Sequence, residues 1–235
     1  AIDDICRAYR LPCISGKDSM KNDATLDGEK ISVPPTILFS LVGNHPDVRK
    51  AVSSDFKSPG DSIYLLGETH QELGASELAF MLRDEEGSGI GGAIPEIDAE
   101  RNLAMYRSLT SSMRGGLVAS AHDCSDGGLA TALAECCFGA DSGATTDIGE
   151  IWGDCESLDE WGALFGESLG RILVSVRPTD CSAFERAMHG HACYHVGRVS
   201  EGDQITINRG EREILSASMS ELRRSWKGAL GGGGR

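Results

Sequence analysis

The chain has 235 residues, of which 40% are hydrophobic and 25% charged, a composition typical of a globular protein with room for one or two cores. Its formal net charge of −14 argues against binding to nucleic acid or to an anionic membrane surface, because both carry negative charge. No apolar run approaches the roughly 20 residues that a membrane span needs, and no signal pattern is visible. We therefore expect a cytoplasmic protein.

The eight cysteines are spread along the chain without the paired spacing of a metal site. Cys136 and Cys137 are adjacent, and no CxxC motif occurs. Because structural zinc sites use closely paired ligands, this spacing favours reduced and mostly buried thiols.

The first predicted elements are a helix over residues 2–9 and a strand within residues 31–42, which are apolar and rich in β-branched residues. Pro34 and Pro35 interrupt that run, so the strand is expected at a sheet edge. The Ser-Pro-Gly sequence at 58–60 marks a boundary. We predict one part over 1–57, a larger domain over 58–228, and a glycine-rich linker or tag over 229–235.

Beyond residue 58 the pattern alternates between the two element types. Strands are predicted at 62–67, 117–120, 144–148 and 172–176, a hairpin at 196–199 and 204–208, and helices at 77–82, 99–113, 128–138, 180–188 and 213–226. Strands interleaved with helices predict an α/β (α+β) fold.

Two motifs carry chemistry, and the first is Gly16-Lys17-Asp18-Ser19. Backbone N–H groups, a cation and a carboxylate suit a phosphate group and its metal ion. The spacing is not that of a Walker A motif, so a surface turn remains the alternative. A phosphate loop needs flanking elements on both sides, so its position suggests that the front of this domain lies upstream of the chain.

The second motif is the sequence HDCSDGGL at residues 122–129, between a predicted strand and a predicted helix. A carboxylate at the carboxyl end of a strand is well placed for a metal or ligand, so we predict a functional role for Asp123. The glycines would leave N–H groups at the helix start for an anion. We expect Asp126 to cap the helix, and capping alone would also explain the motif.

Farther along, Glu167 and Arg171 flank a loop before the strand at 172–176. The two side chains are suited to fixing that loop against a ligand pocket, and a purely structural ion pair is the alternative.

Several strings resemble the second half of the phosphoribosylformylglycinamidine synthase family, within the aminoimidazole-ribonucleotide synthase superfamily. They are PCISGKDSMKN (12–22), VPPT (33–36), LGASE (73–77), HDCSDGGL (122–129) and GES (166–168). The resemblance covers about residues 1–228. It implies the C-terminal domain of the superfamily, with a mixed sheet flanked by helices, preceded by a remnant of an ATP-binding N-terminal domain.

The resemblance also implies an ATP-dependent ligase of purine biosynthesis. Such an enzyme converts formylglycinamide ribonucleotide, ammonia from glutamine and ATP into formylglycinamidine ribonucleotide, ADP and phosphate. The implied small molecules are ATP or ADP, magnesium and the ribonucleotide. The implied protein partners are a glutaminase domain or subunit and the N-terminal part of the synthase.

Matched position by position, Gly16 resembles a nucleotide contact and Ser19 a substrate contact. Asp123 resembles a magnesium ligand, and Ser125 a contact in an auxiliary nucleotide site. In shorter family members the position of Lys17 can be an asparagine that binds magnesium. A charged lysine cannot do so, so the resemblance does not carry metal binding over to Lys17.

The resemblance assigns no catalytic residue to this chain and matches only part of the family's two-repeat unit. We therefore expect a fragment without synthase activity of its own. The alternative function is a non-catalytic scaffold or interaction domain of the same superfamily. Another superfamily enzyme, such as a selenophosphate synthetase, ranks lower because those enzymes lack the GKDSM string.

Overall fold

The computed structural model describes residues 2–17, 23–32, 36–83, 91–140, 142–152 and 157–228. The chain divides into two compact units, Ala1–Ala51 and Val52–Arg235. The described helices are Ile2–Tyr9 (α1), Glu77–Met81 (α2), Ala99–Arg114 (α3), Gly128–Phe138 (α4), Glu160–Phe165 (α5), Cys181–Ala187 (α6) and Met219–Gly228 (α7). None of these helices combines the length and the apolar character that crossing a membrane requires.

The strands fall into a small and a large sheet. They are Ala24–Leu26 (β1), Glu29–Ile31 (β2), Ser62–Leu66 (β3), Ser120–Asp123 (β4), Gly143–Asp147 (β5), Ile172–Val176 (β6), Cys193–Ser200 (β7), Gln204–Arg209 (β8) and Arg212–Ser218 (β9). Short 3-10 turns cover Val48–Lys50 and Gly149–Trp152.

In the first unit, α1 is followed by a hairpin in which β1 pairs antiparallel with β2. The helix predicted at 2–9 is confirmed. The strand predicted over 31–42 is wrong beyond Ile31, because 36–45 have no regular structure and 33–35 lie outside the described residues. An apolar run becomes a strand only where a partner supplies hydrogen bonds, and no described strand pairs with residues 36–45.

The second unit is built on a seven-stranded mixed sheet with the order β4-β6-β3-β7-β5-β8-β9. Neighbouring strands are antiparallel except β5 and β8, which are parallel. The predicted fold, a mixed sheet flanked by helices, is therefore confirmed.

Both faces of this sheet are covered, which explains why β3 is apolar at successive positions. Ile63 and Leu65 pack on one face in a core that includes residues of α4 and α5. Tyr64 and Leu66 pack on the opposite face with residues of α3 and α6. Around β3 the sheet is thus the middle of three layers.

Two predictions about the last part of the chain are wrong. The strands at 193–200 and 204–209 do not pair with each other, because β5 lies between them and pairs with both. Gly143 permits this insertion, since a side chain there would collide with the Gln204 carbonyl of β8. The predicted helix over 213–226 is a strand up to Ser218 and becomes helical at Met219.

Candidate functional site

Three loops that follow β3, follow β4 or precede β6 lie at one edge of the large sheet. Both β3 and β4 pair antiparallel with β6, and Leu66 and Asp123 each lie opposite Ile172. The amide of Cys124 then donates to the Arg171 carbonyl at 3.0 Å. Residues after β3, residues after β4 and the loop before β6 therefore meet at this edge.

Asp123 is the last residue of β4, three residues beyond the predicted strand end. Its side chain is 71% exposed, so the carboxylate is open to a ligand from solvent. The Ser125 hydroxyl donates to Asp123 Oδ2, and this hydrogen bond is the main cause that lowers the pKa of Asp123. The two residues predicted for metal and nucleotide contact thus lie together, and Asp123 stays ionised at neutral pH.

His122 links the strand to helix α4. Its Nδ1 lies 2.6 Å from the Asp123 carbonyl oxygen, and its Nε2 lies 3.1 Å from Glu135 Oε2. Both ring nitrogens thus face oxygen acceptors, so a protonated ring donates at both positions. The electrostatic interaction with His122 is a secondary cause of the lowered pKa of Asp123.

The N–H groups of Gly127 and Gly128 are already used inside the protein. The Gly127 amide donates to Glu167 Oε1 at 2.9 Å, and the Gly128 amide donates to the Ser125 carbonyl at 3.0 Å. The expectation that these glycines leave N–H groups for an anion is wrong, because a carboxylate of the protein occupies the first of them.

The predicted cap of α4 is also wrong. The residue at the cap position is Gly127, in a left-handed conformation and without a side-chain cap hydrogen bond. Asp126 is exposed one residue earlier. The glycine is required there because a side chain at this position would collide with Thr131.

Glu167 and Arg171 both fix the loop before β6, each through backbone groups. Glu167 Oε1 accepts from the amides of Gly127 and Glu77, joining the starts of α4 and α2. Arg171 is 1% exposed, and burial lowers the pKa of its guanidinium. It donates to the carbonyls of Ser168 and Gly166 and, at 3.3 Å, to Thr69 Oγ1. The two side chains therefore hold the edge loops together mainly through backbone groups, and their part in a ligand pocket stays a prediction.

A pocket at the same edge was not found from the sequence. It is lined by charged and polar residues that follow β3 or begin α3, together with His191. Arg101 Nη2 lies 2.5 Å from Glu68 Oε1, and His70 Nε2 lies 3.7 Å from Glu68 Oε2. The signal available in the sequence was the polar Glu68-Thr69-His70 segment directly after a buried strand.

The first motif lies in the other unit. Gly16 is exposed in a segment without regular structure, and the space where a side chain would stand is open. Ser19 lies outside the described residues, as does Asp18.

The described residues supply only part of a metal site. Among them, no group of three or more His, Cys, Asp or Glu side chains is placed to hold a metal ion. Mg²⁺ is commonly held by one or two carboxylates together with phosphate oxygens and waters. The exposed, ionised Asp123 fits one such carboxylate of a phosphate-bound magnesium ion.

The family model described as AIR synthase related protein, C-terminal domain, matches residues 58–209, which is more than half of the chain. The chain belongs to this family. The matched range includes the whole sheet edge described above, from the residues that follow β3 to the loop before β6.

Solved structures share the fold at low sequence identity. Thermotoga maritima PurL complexed with FGAR is 20% identical with a TM-score of 0.65, covering 74% of this chain and 30% of that chain. The same protein complexed with ATP is 18% identical with a TM-score of 0.59, covering 74% and 27%. Phosphoribosylformylglycinamidine synthase II from T. maritima is 18% identical with a TM-score of 0.61, covering 74% and 28%. The chain therefore spans less than a third of these relatives.

Proposed function

We propose that this chain is part of an ATP-dependent ligase that makes formylglycinamidine ribonucleotide from formylglycinamide ribonucleotide, ammonia and ATP. The observation that carries the proposal is the Asp123–Ser125 pair, an ionised and exposed carboxylate at the strand edge of a domain of this family. The shared fold with PurL structures complexed with FGAR, ATP or ADP supports it.

In the proposed reaction, the amide oxygen of the ribonucleotide takes the γ-phosphoryl group of ATP, and ADP leaves. Ammonia then attacks the activated carbon and phosphate departs, so the nitrogen replaces the amide oxygen. Such reactions depend on positioning and on neutralising the charge of the transferring phosphoryl group. A magnesium ion held in part by Asp123 would supply that neutralisation.

The roles proposed for this chain are binding and orientation. Asp123 provides one carboxylate ligand to the metal ion, and Ser125 both orients Asp123 and contacts the nucleotide at an auxiliary site. Gly16 contacts nucleotide and Ser19 contacts the ribonucleotide. Glu167 and Arg171 are positioning residues, since they hold the loops that carry Ser125 and Gly127.

We also propose that the 235-residue chain does not complete the reaction alone. It spans less than a third of the synthase-type chains whose fold it shares. In this proposal residues 1–57 belong to an N-terminal domain of the ATP-binding type and 58–228 to the C-terminal domain. The remaining part of the synthase and a glutaminase domain or subunit then supply the other half of the reaction. Incubation with formylglycinamide ribonucleotide, ATP, magnesium and ammonia should release no ADP, and turnover at a rate typical of whole enzymes would refute this.

The nucleotide site itself is tested by calorimetric titration with ADP and magnesium. Asp123→Asn removes the charge and should weaken binding by roughly tenfold or more, as loss of a metal-site carboxylate interaction commonly does. Asp126→Asn removes the same charge from an exposed neighbour and should leave the affinity unchanged within about twofold. Removing magnesium with EDTA should abolish the difference between the wild-type chain and Asp123→Asn.

One observation favours the second candidate, a non-catalytic interaction domain. Glu167 already satisfies the Gly127 amide at the start of α4, so this helix start offers a phosphate less than the motif predicted. If ADP with magnesium fails to bind, or if both variants bind it as the wild-type chain does, the second candidate replaces the first.

A further inference from the structure

Two cysteines of the first unit lie side by side. Cys6 lies on α1 and Cys13 lies in the segment that follows it, and their Sγ atoms are 3.7 Å apart. Cys13 is exposed and Cys6 is half-buried. The sequence favoured reduced and mostly buried thiols, and neither of these two is buried.

The end of α1 explains why they meet. The Leu11 amide donates to the Cys6 carbonyl at 2.9 Å, and the Arg10 amide donates to the Arg7 carbonyl at 3.2 Å. Arg10 adopts a left-handed conformation with φ of 56°, as the residue after a helix often does. This turn reverses the chain, so Cys13 passes back beside the last turn of the helix.

Other cysteines of the chain have surroundings that suppress reactivity. Cys124, Cys136 and Cys137 are buried, and burial raises the pKa of Cys124 to about 11 and that of Cys137 to about 12. A buried thiol that remains protonated is a poor nucleophile. Cys6 and Cys13 therefore differ in being both accessible and adjacent.

We propose that Cys6 and Cys13 are a modification site, at which a small-molecule disulfide such as glutathione disulfide converts the two thiols into an intramolecular disulfide. One cysteine thiolate attacks a sulfur of glutathione disulfide and releases one glutathione thiolate. The other cysteine then attacks the mixed disulfide and releases the second glutathione. The protein loses two electrons and two protons, and one glutathione disulfide becomes two glutathione molecules.

The order of attack follows from the surroundings of each thiol. The hydrogen bond with Cys13 is the main cause that raises the pKa of Cys6, and the negative charge of Asp3 also contributes. Cys13 is the more exposed thiol, so it is the first to meet the oxidant and Cys6 resolves the mixed disulfide. The product closes a short loop directly before Gly16.

To test the proposal, the chain is equilibrated with glutathione buffers, quenched with acid and digested with trypsin. Trypsin cleaves after Arg7, Arg10 and Lys17, so the disulfide joins peptide 1–7 to peptide 11–17. We expect this joined pair in the native chain, with an equilibrium constant at least about tenfold higher than in concentrated urea, because the fold raises the effective concentration of one thiol near the other.

Matched variants make the result specific. Cys6→Ser and Cys13→Ser should each yield a glutathione adduct on the remaining cysteine, and Cys181→Ser should form the joined peptides as the wild-type chain does. The proposal is overturned if the native chain keeps glutathione adducts on Cys6 or Cys13 without joining them. It is equally overturned if joining is as favourable in urea as in the native chain.

Discussion

The Ser125 hydroxyl donates to Asp123, and this hydrogen bond lowers the pKa of the carboxyl group below its ordinary value of 3.8. Ser125→Ala removes the donor, so we expect the pKa of Asp123 to rise toward that value. Because the folded pKa is lowered, the interaction stabilises the fold above the unfolded pKa and is lost as the pH falls through the folded pKa. NMR titration of the Asp123 carboxyl carbon measures the shift, and an unchanged pKa would contradict the assignment of its cause.

Arg171 allows a second prediction for a single side chain. Glu72 is 6% exposed and its Oε2 has no hydrogen-bond partner among the described residues, and its electrostatic interaction with Arg171 partly offsets the lowering of the Arg171 pKa by burial. Arg171→Met removes the cation and three donated hydrogen bonds, and should lower the free energy of unfolding by at least about 3 kcal/mol. Urea unfolding measures this.

The control for that substitution is Arg186→Met, since Arg186 is exposed on α6. This variant should change the free energy of unfolding by less than about 0.5 kcal/mol. Equal losses in both variants would mean that the burial of Arg171 has no energetic role.

The place of Asp123 at the end of a predicted strand marked it as a candidate, and the family resemblance added Ser125; their ligand contacts stay predictions. Sequence reasoning could not assign the acceptor of the Gly127 amide, because Glu167 lies 40 residues away and reaches that amide only in the folded chain. Asp126 was predicted to cap α4, but the residue at the cap position is Gly127.

At the scale of elements, the first residue of α4 packs closely against the end of α5 and the loop before β6. Gly128 has φ of +68°, and a side chain there would lie 2.6 Å from the Gly166 carbonyl oxygen and 2.9 Å from that of Leu164. Gly128→Ala should therefore lower the free energy of unfolding by at least about 3 kcal/mol, combining backbone strain with overpacking.

Gly116 provides the matched control for this substitution. Its φ is +75°, but the space around its missing side chain is open. Gly116→Ala should cost only the backbone strain, about 1 kcal/mol. Urea unfolding of both variants separates the two contributions, and equal costs would contradict the role of the close approach.

Helices and strands were predicted correctly where the local sequence pattern alone determines them. The helix at 128–138 and the strand at 172–176 have their predicted bounds. Residues 213–218 were predicted as the start of a helix, but they belong to strand β9. Pairing with β8 decides the matter, with Leu215 opposite Ile207 and Ala217 opposite Ile205.

At the scale of the whole molecule, the two units differ in what they bury. The two cores consist of residues from Phe56 onward. None of the described residues of the first unit is buried, and Leu38 and Val42 are 87% and 98% exposed. Burial of apolar side chains is the main source of stability, so the second unit holds most of what stabilises this chain.

Deleting residues 1–51 should therefore leave the second unit folded. We expect its free energy of unfolding to stay within about 0.5 kcal/mol of the value for the full chain, because both cores remain complete. Fluorescence of Trp152, which is 7% exposed in the first of these cores, follows urea unfolding of this unit. Deleting residues 219–228 instead removes the buried Met219 and the Leu222 that packs on that core, and should cost about 3 kcal/mol or more. A loss above about 2 kcal/mol on deleting 1–51 would show that the first unit stabilises the second, and would contradict the inference that the second unit is stable without the first.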